Sequence, residues 1–379
     1  MQQGRHWLIG APVSYYTAKV RAYLRYKRIP FFEVPATREI YRDVIVPRTG
    51  VRFIPVLISA QDVAVQDSAA IIDHLEAHYA FPRVEPLGPI GQLLAALLET
   101  YADEWLLLPA MHYRWNVPEN RAYAMEEFGR LSLPTGTLAE QRELGELLAA
   151  PFAGSLPALG VHPTTAPAIE QSYQELLGEL SAHFARHSYL LGERPCRGDF
   201  ALFGPLYAHL YRDPASGRLM RELAPRVADW VERMREPEAS SAPAESAGYE
   251  SWPQTLEPIL ARMFRELGPV LQSTLARLAE AQPSADGFLP RTLGWHSFSL
   301  GDVSAERAVF PFNAYRFQRA HDHYTRLEPH ERERADALFA RVGGLQLMRT
   351  PLPFRLLRID NRLKLAAAAA SSAHGVALH

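Results

Sequence analysis

Over its first 80 residues the chain alternates short apolar runs with stretches in which apolar positions recur every three or four residues. Residues 7–11 and 31–35 are apolar over the length of a strand, and residues 15–27 between them carry apolar side chains at helical spacing. A third apolar run, 51–58, is followed by a helix that the pattern begins at Asp67. This order of strands and helices predicts an α/β domain.

Beyond a proline-rich connection the apolar spacing becomes helical. Leucines and aromatic residues recur at this spacing over residues 93–115, which predicts a long helix. The prolines of the stretch 116–168 suggest loops around short helices, and helix signals return after it. We therefore predict a first domain over residues 1–83 and an all-α helical domain over residues 90–236.

A third region follows a stretch rich in Pro, Ala, Ser and Glu, which is the composition of a linker. The apolar spacing predicts further helices at 254–282, 304–326 and 330–342. The predicted helical extension spans residues 250–362, and the alanine-rich tail 363–379 is expected to be disordered.

Composition narrows the classes of function. A formal net charge of −2 over 379 residues favours neither nucleic acid nor a membrane surface as the partner. A single cysteine, Cys196, excludes internal disulfides and a Cys-x-x-Cys redox pair. His74 and His78 stand one helical turn apart, but Glu76 between them is misplaced for a metalloprotease motif, so no metal site is predicted. No apolar run approaches the ~18–20 residues of a membrane span and no leader pattern is present, so we expect a cytoplasmic protein.

A polar corner is predicted where the third apolar run meets the following helix. Pro55 interrupts the run, and a proline there belongs at the start of a strand, at an edge or in a cis turn. Asp67 and Ser68 open the next helix, whose first backbone N–H groups have no partner within the helix. The alternative is that Pro55 only ends a loop and that the acid and hydroxyl only cap a helix.

This corner, with the segments Ser14-Tyr15-Tyr16-Thr17 and Pro195-Cys196-Arg197-Gly198-Asp199, resembles the glutathione S-transferase family. The resemblance implies a thioredoxin-like domain followed by a helical domain. It also implies a cis Ile54–Pro55 peptide, with the backbone of Ile54 binding the cysteinyl part of glutathione. Asp67 and Ser68 would then bind its γ-glutamyl end.

The same resemblance implies a thiolate-stabilising group at the entrance to the first helix. A free thiol titrates near pH ~8.5, and lowering this pKa by two units requires about 2.7 kcal/mol of preference for the thiolate. One hydroxyl donor at the positive end of a helix can supply such a preference. Ser14 is the first candidate, and Tyr15 and Tyr16 are the alternatives. Tyr16 also falls on the apolar face of the helix, where a core position is the competing interpretation.

An aromatic cluster near the end of the long helix is the candidate pocket for an electrophilic substrate. The resemblance implies that this helix lines such a pocket, and Trp105, Met111 and Tyr113 are the candidate lining residues. A stripe of this kind can equally belong to the hydrophobic core. In the segment around Cys196 and Asp199 the two side chains are interpreted as a structural helix cap.

The predicted function is that of a glutathione-dependent transferase, which conjugates the glutathione thiolate to a small electrophile. Peroxidase and isomerase chemistry use the same thiolate and stay open. The alternative is a non-catalytic, glutathione-transferase-like protein that serves in binding or assembly. The resemblance also implies a homodimer. The extension is expected either to cover the mouth of the electrophile pocket or to pack on the distal face of the helical domain.

Overall fold

The computed structural model describes residues 4–238, 252–281 and 286–366, and its first domain has the predicted order of strands and helices. The elements of this domain are β1 (His6–Gly10), α1 (Tyr15–Tyr26), β2 (Phe31–Pro35), α2 (Arg38–Ile40), a π-helical turn (Tyr41–Ile45), α3 (Val46–Thr49), β3 (Val56–Ile58), β4 (Ala64–Gln66) and α4 (Ser68–Glu76).

Strands β1 to β4 form one mixed sheet in the order β2-β1-β3-β4. β1 pairs in parallel with β2 because α1 crosses over between them, whereas β3 runs antiparallel to both β1 and β4. Leu8 and Leu57 are paired across the ladder and share one buried cluster with Ile71 and Ile72 of α4. This apolar layer confirms the predicted α/β domain.

The second domain is helical, as predicted. Its elements are α5 (Pro89–Thr100), a π-helical turn (Tyr101–Trp105), α6 (Leu107–Asn116), α7 (Pro118–Ser132), α8 (Leu138–Gly154), α9 (Leu156–Leu159), α10 (Ala166–Phe184), α11 (Arg197–Ala208), α12 (Pro214–Leu223) and α13 (Pro225–Arg235). α11 lies against α1, α5 and α13, and its fully buried Phe200 contacts the rings of Tyr23 and Tyr26. The apolar face of α1 therefore joins the two domains.

The stretch predicted as loops around short helices contains longer helices than expected. α7 has 15 residues and α8 has 17. Pro118 occupies the first turn of α7, where a missing N–H is tolerated, and Pro151 lies in the last turn of α8. The prolines therefore mark the ends of these helices and do not divide the stretch into loops.

The segment around Cys196 caps α11, as interpreted from the sequence. Asp199 accepts hydrogen bonds from the backbone N–H groups of Cys196 and Leu190, both at 2.9 Å. Burial raises the pKa of Asp199 to about 6, although these backbone donors oppose the shift. Burial also raises the pKa of the Cys196 thiol, which disfavours a thiolate there and fits the structural role.

The extension contains helices and two β-hairpins. Its elements are a 3₁₀ turn (Gln254–Leu256), α14 (Glu257–Glu280), β5 (Trp295–Leu300), β6 (Val303–Ala308), α15 (Pro311–Thr325), α16 (Pro329–Arg341), α17 (Leu345–Arg349), β7 (Leu356–Ile359) and β8 (Arg362–Leu365). β5 pairs with β6 and β7 with β8, both antiparallel.

Two predicted boundaries of the extension differ from the structure. The helix predicted to begin at residue 304 begins at Pro311, because residues 303–308 pair with β5. Strand β8 continues to Leu365, past the predicted boundary at residue 362. Residues 239–251 of the predicted linker and residues 367–379 of the tail lie outside the described residues.

The extension packs across both preceding domains. α14 lies against α10, and α15 lies along α5. Phe298 of β5 contacts the ring of Trp105 edge to face, with the ring centroids 6.2 Å apart. Beyond α15, Asn361 donates a hydrogen bond to the carbonyl of Thr49 in the first domain, at 2.6 Å. The extension therefore contacts Trp105 of the second domain and Thr49 of the first. Within the described ranges no helix has the length and apolar character to span a membrane.

Candidate functional site

Three loops meet at one end of the first-domain sheet. Val56 pairs with Ile9 of β1 on one side and with Gln66 of β4 on the other. Ile54 and Pro55 therefore precede β3 at one end of the sheet. At this same end, β1 continues toward Ser14 and β4 continues into α4. The Ile54–Pro55 peptide is cis, as predicted.

Asp67 ends β4 and begins α4. Its φ of 88° lies in a region that residues other than glycine rarely adopt. This conformation lets its Oδ1 accept hydrogen bonds from the N–H groups of Ala69 and Ala70, at 3.0 and 3.1 Å. The carboxylate satisfies two of the free N–H groups of the helix, so the predicted capping role is present.

Ser68 follows at the first position of α4. The residue is only 1% exposed, and its Oγ has no hydrogen-bond partner among the described residues. A buried hydroxyl without a partner costs about 1–3 kcal/mol relative to a satisfied one. The corner therefore holds a buried hydroxyl whose hydrogen-bonding capacity is not used by the described residues.

Ser14 caps α1 at the neighbouring loop. Its half-buried hydroxyl oxygen accepts a hydrogen bond from the backbone N–H of Thr17, at 3.3 Å. A hydroxyl that accepts one hydrogen bond can still donate its proton. Ser14 therefore combines a free donor with the positive end of a helix.

The two alternative hydroxyls are already used. Tyr15 donates to the carbonyl of Ala102, and Tyr16 donates to the carbonyl of Asp103 at 2.9 Å. Burial raises the pKa of both phenols, and neighbouring acids raise it further. In this structure both hydroxyls serve contacts between the domains.

The three candidate pocket residues lie in the interior. Trp105 donates its indole N–H to Glu266 of α14, at 2.8 Å, and Tyr113 packs edge to face on Tyr173. Met111 is 5% exposed. The cavity beside Trp105 has a volume of about 10 Å³, which is no larger than one water molecule requires. In this structure the three residues are therefore packed as part of the hydrophobic core, which was the competing interpretation.

Sequence reasoning missed Arg316, which the extension places on the corner. Its Nη2 donates to Oδ2 of Asp67 at 2.5 Å, and its Nε lies 3.6 Å from Oε1 of Glu104. The Arg316 side chain is 8% exposed. The contact joins residues 249 positions apart, and no local pattern around Arg316 indicates it.

A second arginine of the extension binds the same corner. Arg358 donates to the carbonyl of Gln66 at 3.0 Å and to the side-chain oxygen of Gln66. Burial alone would raise the pKa of Asp67, but Arg316 and Arg358 hold this pKa below its ordinary value. Asp67 is therefore an ionised carboxylate at neutral pH.

Buried charges continue beneath the corner. Lys19 of α1 donates to Glu99 at 2.7 Å and to Asp103 at 2.6 Å, and neither Lys19 nor Asp103 is exposed. Arg197 of α11 contacts Glu99 as well. Burial raises the pKa of the neighbouring Glu104 to about 7, with Arg316 opposing the shift. This ionic layer links the first domain to the second.

Comparison with known proteins identifies the class. The sequence matches the model of the glutathione S-transferase N-terminal domain over residues 8–85 and that of the C-terminal domain over residues 161–238. Residues 8–85 and 161–238 therefore match the two domains of a glutathione S-transferase, and a C-terminal extension of further helices and two β-hairpins follows them. The search of curated proteins gives no match.

Three solved structures illustrate the similarity. A glutathione S-transferase from Rhodospirillum rubrum F11 is 18% identical and aligns over 66% of this chain and 97% of its own, with a TM-score of 0.41. One from Methylobacterium radiotolerans, in complex with glutathione sulfonate, is 22% identical over 64% of this chain and 99% of its own, with a TM-score of 0.38. FzlA from C. crescentus is 18% identical and aligns over 68% of this chain and 92% of its own, with a TM-score of 0.39.

Proposed function

We propose that the protein is a glutathione-dependent transferase that joins the glutathione thiolate to a small electrophile. The observation that carries the proposal is the hydroxyl of Ser68, which is buried without a partner at the start of α4. A ligand carboxylate would satisfy this hydroxyl and would lie at the positive end of the helix. Ser14 and Ile54 lie at the same end of the sheet, and both fall within the residues that match the transferase N-terminal domain.

Each residue has a proposed role. The backbone of Ile54 would bind the cysteinyl part of glutathione, and Asp67 with Ser68 would bind the γ-glutamyl end. Ser14 would donate a hydrogen bond from its hydroxyl to the sulfur and so lower the pKa of the thiol. The thiol loses its proton to solvent. The thiolate then attacks the electrophile, so that a C–S bond forms while the leaving group departs with its bonding electrons.

The first test removes the hydroxyl that carries the proposal. Ser68→Ala should weaken glutathione binding about tenfold, because the ligand loses a hydrogen bond to a charged group worth about 1.5 kcal/mol or more. Titration calorimetry with reduced glutathione measures the dissociation constant. The control is Ser59→Ala, which removes another buried serine of the same sheet domain whose hydroxyl accepts from Val63. Equal affinity of Ser68→Ala and the wild type would contradict the proposal.

A second candidate is a non-catalytic binding or assembly protein. Arg316 on Asp67 favours it, because a contact within the chain takes one oxygen of the candidate ligand-binding acid. The tight packing around Trp105 favours it as well. Turnover of a panel of small electrophiles with glutathione distinguishes the two, since the second candidate binds without turnover.

The proposal includes a homodimer, which the match to both domains of a glutathione S-transferase supports. Exposed apolar side chains are present on both domains that such a dimer would bring together, with Phe81 75% exposed on the first domain and Leu138 74% exposed on α8. Light scattering on the purified protein measures the mass of the particle.

A further inference from the structure

The carboxylate of Asp67 is already engaged on both oxygens. Oδ1 accepts from the N–H groups of Ala69 and Ala70, and Oδ2 accepts from Arg316. The ammonium group of a γ-glutamyl ligand would have to compete with a fixed guanidinium for the same oxygen. A guanidinium held within the chain has already lost its freedom, whereas the ligand loses its own on binding.

The charges around the corner oppose an ammonium as well. Arg316 and Arg358 both approach residues 66–67, and Asp67 neutralises one of the two. Oε1 of Glu104 lies 3.6 Å from Arg316 Nε, and Asp103 forms an ion pair with Lys19. At residues 66–67 themselves, two guanidinium groups therefore meet one carboxylate.

The buried polar atoms that lack a hydrogen-bond partner at this corner belong to Ser68, Arg316 and Arg358, and each can donate a hydrogen bond. Ser68 Oγ, Arg316 Nε and Arg358 Nε are buried atoms without hydrogen-bond partners among the described residues, and Arg316 Nε also lies 3.6 Å from Oε1 of Glu104. Ser68 is 1% exposed and the Arg316 side chain 8% exposed. Donors without partners beside the start of a helix suit a carboxylate, whose lone pairs can satisfy several of them.

We infer that Arg316 determines which ligand this corner binds. The ligand is a thiol that the corner recognises by the carboxylate at its end, without selecting for the α-ammonium of glutathione. In this arrangement Asp67 positions Arg316 and α4, and Ser68 with the arginines contacts the ligand. The inference rests on the proposed function, since it concerns the same site and the same thiol chemistry.

The test compares two thiols that differ at one group. They are reduced glutathione and glutaryl-cysteinyl-glycine, in which hydrogen replaces the α-ammonium. Calorimetry on the full chain should give the analogue a dissociation constant equal to or below that of glutathione. In Arg316→Gln the acid is free to accept an ammonium, and glutathione should then bind about tenfold more tightly than the analogue.

Two variants serve as controls. Arg319→Gln removes an arginine one turn further along α15, which pairs with Asp73 at 2.5 Å and is 34% exposed. It should keep the wild-type ratio of the two dissociation constants. Arg316→Lys keeps a cation beside Asp67 and should also keep this ratio. Circular dichroism and melting curves check the fold of each variant.

The wild-type comparison decides the inference even if Arg316→Gln does not fold. A wild type that binds glutathione ten times more tightly than the analogue overturns the inference and leaves the proposed function standing. A wild type that binds neither thiol overturns both. An Arg316→Gln variant that folds and retains the wild-type ratio also overturns the role of Arg316.

Discussion

At the scale of single residues, the hydroxyls at the start of α1 differ in what they are free to do. Tyr15 and Tyr16 donate to carbonyls of the second domain, whereas Ser14 accepts from Thr17 and donates to none of the described residues. A donor already committed to a carbonyl has to give up that contact before it can stabilise a thiolate. Ser14 is therefore the group best placed to act on a bound thiol.

Ser14→Ala should raise the pKa of enzyme-bound glutathione by about one to two units, since a hydrogen bond to a charged group is worth about 1.5–3 kcal/mol. Turnover below this pKa should fall by about tenfold or more. Tyr15→Phe and Tyr16→Phe should leave the pKa of the bound thiol unchanged and lower the melting temperature. Ultraviolet titration of the thiolate measures the pKa. A tyrosine variant that changes it while Ser14→Ala does not would move the donor role to that tyrosine.

The candidate site was only partly predictable at this scale. Asp67 and Ser68 stand out because a helix start has a local pattern of acid, hydroxyl and apolar residues. Arg316 does not, because its role arises only when α15 docks on a helix start 249 positions away along the chain. Trp105 could be placed on a helix but not assigned to pocket or core, since both uses require the same apolar spacing.

At the scale of elements, the local pattern of residues predicted the helices and strands of the first domain well. It failed at β6, where pairing with a neighbouring strand determines the secondary structure. Residues 305–308 read Ala-Glu-Arg-Ala, which are good helix formers, yet they form strand β6. The hairpin partner explains this, since β5 alternates exposed and buried positions along its whole length and pairs with β6 residue by residue. Pro311 then begins α15, as its missing N–H permits.

The ionic layer between α1 and α5 allows a matched comparison at the element scale. Lys19→Met leaves Glu99 and Asp103 buried without this cation and should lower the free energy of unfolding by about 3–5 kcal/mol. Arg42→Met removes a pair with Asp43 in which both side chains are more than half exposed, and should change the free energy of unfolding far less. Urea denaturation measures both. Similar small changes in the two variants would show that the buried layer contributes little.

At the scale of the whole molecule, the extension is part of the core. Leu267 of α14 and Phe317 of α15 are fully buried in the same cluster as Leu94 of α5 and Tyr23 of α1. Removing the extension would expose these apolar faces to water, at about 25 cal/mol for each Å². The first two domains are therefore not expected to be stable without it.

A chain ending at residue 238 should melt well below the full-length protein or fail to stay in solution. The cause would be the exposed side of α5 and the lost partner of Trp105, whose indole N–H would no longer meet Glu266. Differential scanning fluorimetry on both chains provides the comparison. A shortened chain with the full-length melting temperature would mean that the extension contributes only to the site.

The π-helical turn Tyr101–Trp105 sets the angular phase between α5 and α6. A turn of this kind accommodates one residue more than a regular α-helix, and each residue rotates a helix by about 100°. Arg114, further along α6, meets both carboxylate oxygens of the fully buried Asp213 at 2.7 Å only in this phase. A deletion of one residue at the turn would leave the helix continuous and rotate Arg114 away from its carboxylate. In the history of this chain, a change of length at the turn would therefore have required compensation within the same helix.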